Sequence, residues 1–555
     1  MRQLKPSVFV LTLILCMCFK GYAQENSKDQ IKLEHVERAQ QLIGLEFTEV
    51  ERDSMLEGLN DFLDTYQRFR KFDLDNGIAP ALIFNPIPQN YPMSKEPSFF
   101  QMSDYSTAQM PENLEDLAFY TVGELGELIR ARKITSLALT KICITRLNKY
   151  DPLLECVITL TEDLALEQAK RADEEHARGV YRGPLHGIPY GIKDLFSVKG
   201  YKTTWGAMPY KDQVIEQDAA VVRKLEEAGA ILVAKLTMGA LAWGDVWFGG
   251  QTKNPWDVTQ GSSGSSAGSA SSVSAGLVPF AIGTETWGSI VSPSTICGVT
   301  GLRPTFGRVS RAGAMALSWS MDKIGPICRT VEDCAIVFNA IYGPDSQDPS
   351  TIDAPFHYTP EVNLQDLRIG YLEKDFASDY PFHMNDSLTL DQLRNMGVTL
   401  IPIQLPDVPI GDLSFILEAE AAAVFDALTR SNRDSLLVRQ IKNAWPNVFR
   451  QSRFIPAVEY INANRVRSVL IHAMDIIMQD VDVYLAPSWA GDNLLLTNLT
   501  GHPCVVLPNG FNEGTPTSVT FMGRLFDEGT LLGVVKAYQD ATEFHLKHPA
   551  LGEQN

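Results

Sequence analysis

The chain has 555 residues, 45% hydrophobic and 21% charged, which suits an ordinary soluble globular protein and excludes a disordered or collagen-like one. A formal net charge of −19 repels phosphate backbones, so no nucleic-acid partner is expected. No C-x-x-C pair occurs, which leaves a zinc site or a redox motif without support, and extracytoplasmic disulfides stay open.

In chain order, Arg2 and Lys5 precede the apolar run Val8 to Phe19, and small residues Gly21 and Ala23 follow it. That pattern of charge, apolar run and small residues predicts a signal peptide over residues 1–23, cleaved after Ala23, and export to the periplasm or beyond. The run is too short for a comfortable bilayer span. LILC (Leu13 to Cys16) lacks a small residue just before the cysteine, which makes lipoprotein the weaker reading. Loss of Arg2, Lys5 and Lys20, with no acid among residues 1–23, would take the charge from −19 to −22. No later run is long enough to insert stably in a membrane.

Residues 24–119 read as an N-terminal helix and an extended arm. Between Lys32 and Phe72, Met55, Leu56, Leu59, Phe62, Leu63, Tyr66 and Phe69 recur at helical period after a capping-box pair, Thr48 and Glu51. Gly77 to Asn113 is rich in proline and lacks periodicity. The main domain is expected over residues 120–549. There Thr121–Tyr150 and Leu160–Gly179 read as two helices. The runs Gly187–Lys193, Ala230–Lys235, Leu277–Gly283, Leu367–Glu373, Val398–Ile403, Val481–Pro487 and Pro503–Pro508 read as buried strands, with helical stretches such as Ala219–Gly229 between them. Strands alternating with helices indicate a layered α/β fold.

Within that pattern lies GSSGSSAGSASSVSAG, Gly261 to Gly276. Gly/Ser tracts usually form flexible linkers, but a passive linker is not expected in the middle of a continuous α/β series. Gly264 to Gly268 spells G-x-S-x-G, yet a nucleophile elbow needs a buried strand before it, and KNPWDVTQ is not one. Ser320 to Lys323 spells S-x-x-K, without the S-D-N and K-T-G that would complete that set.

An ordered series of longer segments does resemble a known family. It comprises GPLHGIPYGIKD (Gly183 to Asp194), DAAVVRKLEEAGAILVAKLTM (Asp218 to Met238), NPWD (Asn254 to Asp257) and GSSAGSASSVSAG (Gly264 to Gly276). It continues through GTETWGSI (Gly283 to Ile290), CGVTGLRPTFGRVSR (Cys297 to Arg311), DKIGP (Asp322 to Pro326), NLTGHPCVVLP (Asn498 to Pro508) and GRLFDEGTLL (Gly523 to Leu532). On these segments the chain resembles the amidase signature hydrolases from about Tyr120 to Pro549. The resemblance implies a large, mostly parallel or mixed, twisted β-sheet core covered on both sides by helices. It also implies a catalytic triad of Lys193 as base, Ser265 as bridge and Ser289 as acyl-forming nucleophile. Backbone N–H groups of Thr286, Trp287, Gly288 and Ser289 would form the oxyanion hole. Neither metal nor cofactor is implied, and the partner is a small-molecule amide.

The chemistry is coherent. A serine hydroxyl attacks only when a base takes its proton, and lysine is a base only when neutral, a form that burial favours. Ile188, Pro189, Ile192, Leu195 and Phe196 give Lys193 an apolar frame; the competing reading is a salt bridge to Asp194. Three positions depart from the family pattern: Glu285 replaces a common Asp, Trp287 a usual Gly, and Val291 a frequent Arg. Tryptophan enters left-handed backbone space less cheaply than glycine, and its ring is expected to fill part of the acyl pocket. The rest of that pocket should come from Leu413 to Arg467. His186 is read as a turn-shaping residue, His502 as a pocket residue, and Cys297 and Cys504 as packing groups. The expected function is an exported amidohydrolase acting on linear amides through a Ser289 acyl-enzyme. The alternatives are a catalytically impaired binding protein on the same fold and an ammonia-generating amidotransferase subunit.

Overall fold

The structure, a computed structural model, describes residues 30–72 and 74–552; the expected signal peptide lies outside the described residues. The chain divides into two compact units, at Leu74 and Asp75. In the first, the expected helix is two helices, Leu33–Ile43 and Glu49–Phe69. Gly44 ends the first in a left-handed cap, and the Thr48 hydroxyl accepts the Glu51 N–H to start the second.

The second unit includes the extended arm. Asn76 exchanges two hydrogen bonds with the Ala316 backbone, and the Tyr91 hydroxyl donates to the Leu525 carbonyl at 2.6 Å. The Thr121–Tyr150 stretch splits into helices Val122–Arg130 and Ser136–Leu154, because Thr135 caps a new start by accepting the Ala138 N–H. Glu162–Ala177 and Ala220–Glu227 are helical where expected.

The core is a mixed sheet of eleven strands flanked by helices. In chain order these are β1 (Val157–Leu160), β2 (Pro189–Lys193), β3 (Ile231–Leu236), β4 (Phe280–Glu285), β5 (Thr300–Arg303) and β6 (Lys323–Cys328). Then come β7 (Ile369–Leu372), β8 (Leu400–Ile403), β9 (Val483–Pro487), β10 (Cys504–Asn512) and β11 (Thr515–Gly523). The spatial order is β8-β7-β9-β11-β10-β5-β6-β4-β2-β3-β1. β2 runs parallel to β3 and β4, and β7 parallel to β8 and β9; the remaining pairs are antiparallel. Lys193 and Glu285 are therefore the last residues of adjacent parallel strands, the edge where ligands bind in open α/β sheets.

The serine tract is structural as well as local chemistry. Ala267–Ser274 is a helix with every residue buried. Three of its hydroxyls are spent on backbone carbonyls: Ser269 donates to Ile282 at 3.1 Å, Ser271 to Lys253 at 2.9 Å and Ser272 to Ser269 at 3.3 Å. The six described cysteines are free and buried. Among the described residues no helix is long and apolar enough to cross a membrane.

Candidate active site

The end of β2 carries Lys193 into the interior, where its side chain is wholly buried. Nζ lies 2.8 Å from Ser265 Oγ, 2.8 Å from Thr284 Oγ1 and 3.2 Å from Ser266 Oγ. Among the described residues no carboxylate touches it. Asp194 points elsewhere, to Lys235 on β3 at 2.8 Å and to the Thr204 N–H and hydroxyl, so the competing salt bridge does not form. Burial pulls the Lys193 amine down to about 7, with the more distant Asp322 and Glu285 opposing it. A neutral amine has two N–H donors and one lone pair, so one of its three hydroxyl partners must then donate to it. Ser266 is already occupied, donating to the Thr284 carbonyl while accepting the Thr284 N–H. Ser265 and Thr284 remain free for that role.

Ser265 follows a cis peptide bond from Gly264 and is almost wholly buried. Gly264 is required by space: a Cβ there would sit 1.9 Å from the Gly244 carbonyl oxygen. The next N–H, that of Ser266, donates to the Ser289 carbonyl at 3.1 Å, which ties the serine turn directly to the segment carrying Ser289.

That segment, Glu285 to Val291, is closed by one carboxylate. Glu285 Oε2 accepts the N–H groups of Ile290 at 2.8 Å and Val291 at 2.9 Å. Its other oxygen meets Arg303 at 2.6 Å and Asn498 at 2.8 Å. Burial alone would raise this carboxyl, but Arg303 and the hydrogen bonds outweigh it and hold it at about 2. With the ends clamped, the N–H groups of Thr286, Trp287, Gly288 and Ser289 form no hydrogen bond among the described residues. The left-handed residue of this turn is Gly288, at φ 87°, and not Trp287. The tryptophan that replaces the family's glycine therefore meets no backbone penalty, and its ring stands 45% exposed. Thr286 is fixed from its side chain, which donates to Asp322 at 2.6 Å.

The Ser289 hydroxyl makes no hydrogen bond among the described residues and opens on a cavity of about 420 Å³. Ser263, Gly264, Thr286 and Trp287 line it from the sheet side; Ser414, Leu417, Glu418, Asn443, Trp445 and Val448 line it from the expected 413–467 insert. His502 is corrected: it lines a different cavity, beside Tyr91 and Arg368, and its ring meets Thr500 at 2.8 Å. His186 lies 3.0 Å from Glu175. The sequence reading missed Thr284 and Ser266 as partners of Lys193. Thr284 had a signal, since it stands two residues before Thr286 in the same motif.

A family model described as Amidase matches residues 138–496. A glutamyl-tRNA(Gln) amidotransferase subunit of Chloroflexus aurantiacus is 34% identical over 490 residues, covering 79% of this chain and 100% of that one. The protein of the same name from Methylococcus capsulatus is 32% identical, covering 78% and 98%. The structure of the peptide amidase from Stenotrophomonas maltophilia superposes with a TM-score of 0.70 at 29% identity, covering 79% of this chain and all of that one.

Proposed function

The chain belongs to the amidase family, and on that basis we propose that it is an exported hydrolase of linear amides working through a Ser289 acyl-enzyme. The observation that carries this reading is the Lys193 amine, buried without a carboxylate contact and bonded to Ser265 beside the Ser289 turn.

In the proposed cycle neutral Lys193 draws a proton from Ser265, the Ser289 hydroxyl, unbonded in this structure, turns to Ser265 to hand on its own, and Ser289 Oγ attacks the amide carbonyl carbon. The oxyanion that forms faces the unbonded N–H groups of residues 286–289, each worth about 3–4 kcal/mol of barrier. The proton returns through Ser265 to the amine nitrogen as the C–N bond breaks. Water then gives up a proton along the same path and attacks the ester, and that proton returns through Ser265 to Ser289 Oγ as the acid leaves. The pattern of Arg2, Lys5, Val8–Phe19 and Ala23 supports export.

A fluorophosphonate probe should label the wild type at Ser289 and leave Ser289→Ala unlabelled. A wild type that takes no label and cleaves no amide would instead favour an impaired binding protein. The names of the relatives support a second reading, an amidotransferase-type subunit. Co-purification of a second subunit or of tRNA would select it, whereas the strongly acidic chain speaks for the hydrolase.

A further inference from the structure

The hydrolase reading leaves the substrate unnamed, and the cavity over Ser289 carries an answer that rests on that reading. Its lining holds three indoles, Trp243, Trp287 and Trp445, and one ionisable side chain, Glu418. Glu418 lies on the helix Phe415–Val424 and is half-buried. Among the described residues no hydrogen bond or ion pair engages its carboxylate. Glu420, on the same helix, shows the contrast: it accepts from the hydroxyls of Ser318, Ser320 and Tyr460 and from the Ser320 N–H. One carboxylate of this helix is saturated by structure and the other is presented bare to the cavity.

Two of the indoles are held in place. Trp445 donates its N–H to the Leu241 carbonyl at 2.9 Å, stacks on Phe449 at 5.0 Å and meets Trp243 edge-on at 4.7 Å. Trp243 already has one cation near it, since the Arg439 guanidinium lies 5.9 Å from its ring. Arg439, however, lines the neighbouring hollow, not this cavity, and donates to the Asn443 carbonyl. An anionic ligand would be repelled by Glu418, and a neutral apolar one would desolvate the carboxylate without replacing its water. A cation satisfies the carboxylate and the ring faces together.

We propose that Glu418 is a specificity-determining residue for an amide that carries an ammonium or guanidinium group, seated between the carboxylate and the indoles. Calorimetric titration of the full chain with n-butylammonium and with n-butanol reads this site without turnover. Butylammonium should bind at least about tenfold more tightly, with the advantage lost in Glu418→Gln and partly regained in Glu418→Asp. The kcat/KM ratio for an ammonium-bearing amide over its uncharged isostere should fall about tenfold or more in Glu418→Gln. Equal binding of the two probes by the wild type, or an advantage that survives Glu418→Gln, overturns the inference. Glu418-dependent binding in a protein that neither cleaves amides nor labels at Ser289 retains the cation site and overturns the hydrolase reading instead.

Discussion

Lys193 and Lys235 occupy the neighbouring parallel strands β2 and β3, and both amines are buried. The register partner of Lys235 is Ile192, so the two lysines point to opposite faces of the sheet. On one face Lys235 meets the Asp194 carboxylate at 2.8 Å and the Thr203 hydroxyl at 2.7 Å. On the other, Lys193 meets three hydroxyls and no counter-charge. Burial lowers both amines, but at Lys235 the adjoining carboxylate opposes it directly. Depth alone, then, does not make a base. A buried lysine with a carboxylate is a structural ion pair, and one among hydroxyls is free to give up its proton.

The greatest loss should follow from removing the uncompensated amine. Lys193→Met should lower amide kcat/KM by at least about a thousandfold, and turnover of an ester less, since an alkoxide leaves without a strong push from an acid. If activity persisted while stability collapsed, the distinction between the two lysines would fail. Lys235→Met should do the reverse. It strands Asp194 as a buried lone charge, so denaturant unfolding should show a loss of about 3–5 kcal/mol.

The pH dependence separates the two lysines more finely. With the Lys193 amine near 7, kcat/KM should rise about tenfold per pH unit below that value and level off above it. In the unfolded chain the amine has its ordinary value of 10.5, so the unfolded state binds the extra proton between about 7 and 10.5. The stability contribution of this site is therefore full above 10.5 and lost as pH falls to about 7, a slope that Lys193→Met should flatten. The mildest change is expected at Thr284→Val, which removes one neutral hydrogen bond from Nζ at a cost of about 1 kcal/mol in thermal unfolding. A lowered midpoint of the pH–rate profile in that variant would show that Thr284 helps to hold the proton on Lys193.

The seven apolar runs read as strands all became strands of the main sheet, because most of them are buried on both faces and so read as near-continuous apolar runs, the half-exposed β8 excepted. Two of the other four were hidden for identifiable reasons. Pro326 interrupts the middle of β6, and Thr515, Thr517, Ser518 and Thr520 give β11 a polar look. The split of the expected helix at Thr135 turned on a cap, which sequence marks only weakly.

The α/β core and the motif order were legible in the order of amino acids, because apolar runs and local motifs are properties of neighbouring residues, whereas Lys193, Ser265 and Ser289 were singled out by the family resemblance. Which carboxylate Lys193 avoids, how Glu285 clamps the Ser289 turn through Arg303 and Asn498, and how Glu418 faces the cavity were settled only in three dimensions. Those contacts join residues far apart in the chain, and their charge and burial come into being when the sheet and its helices close around them.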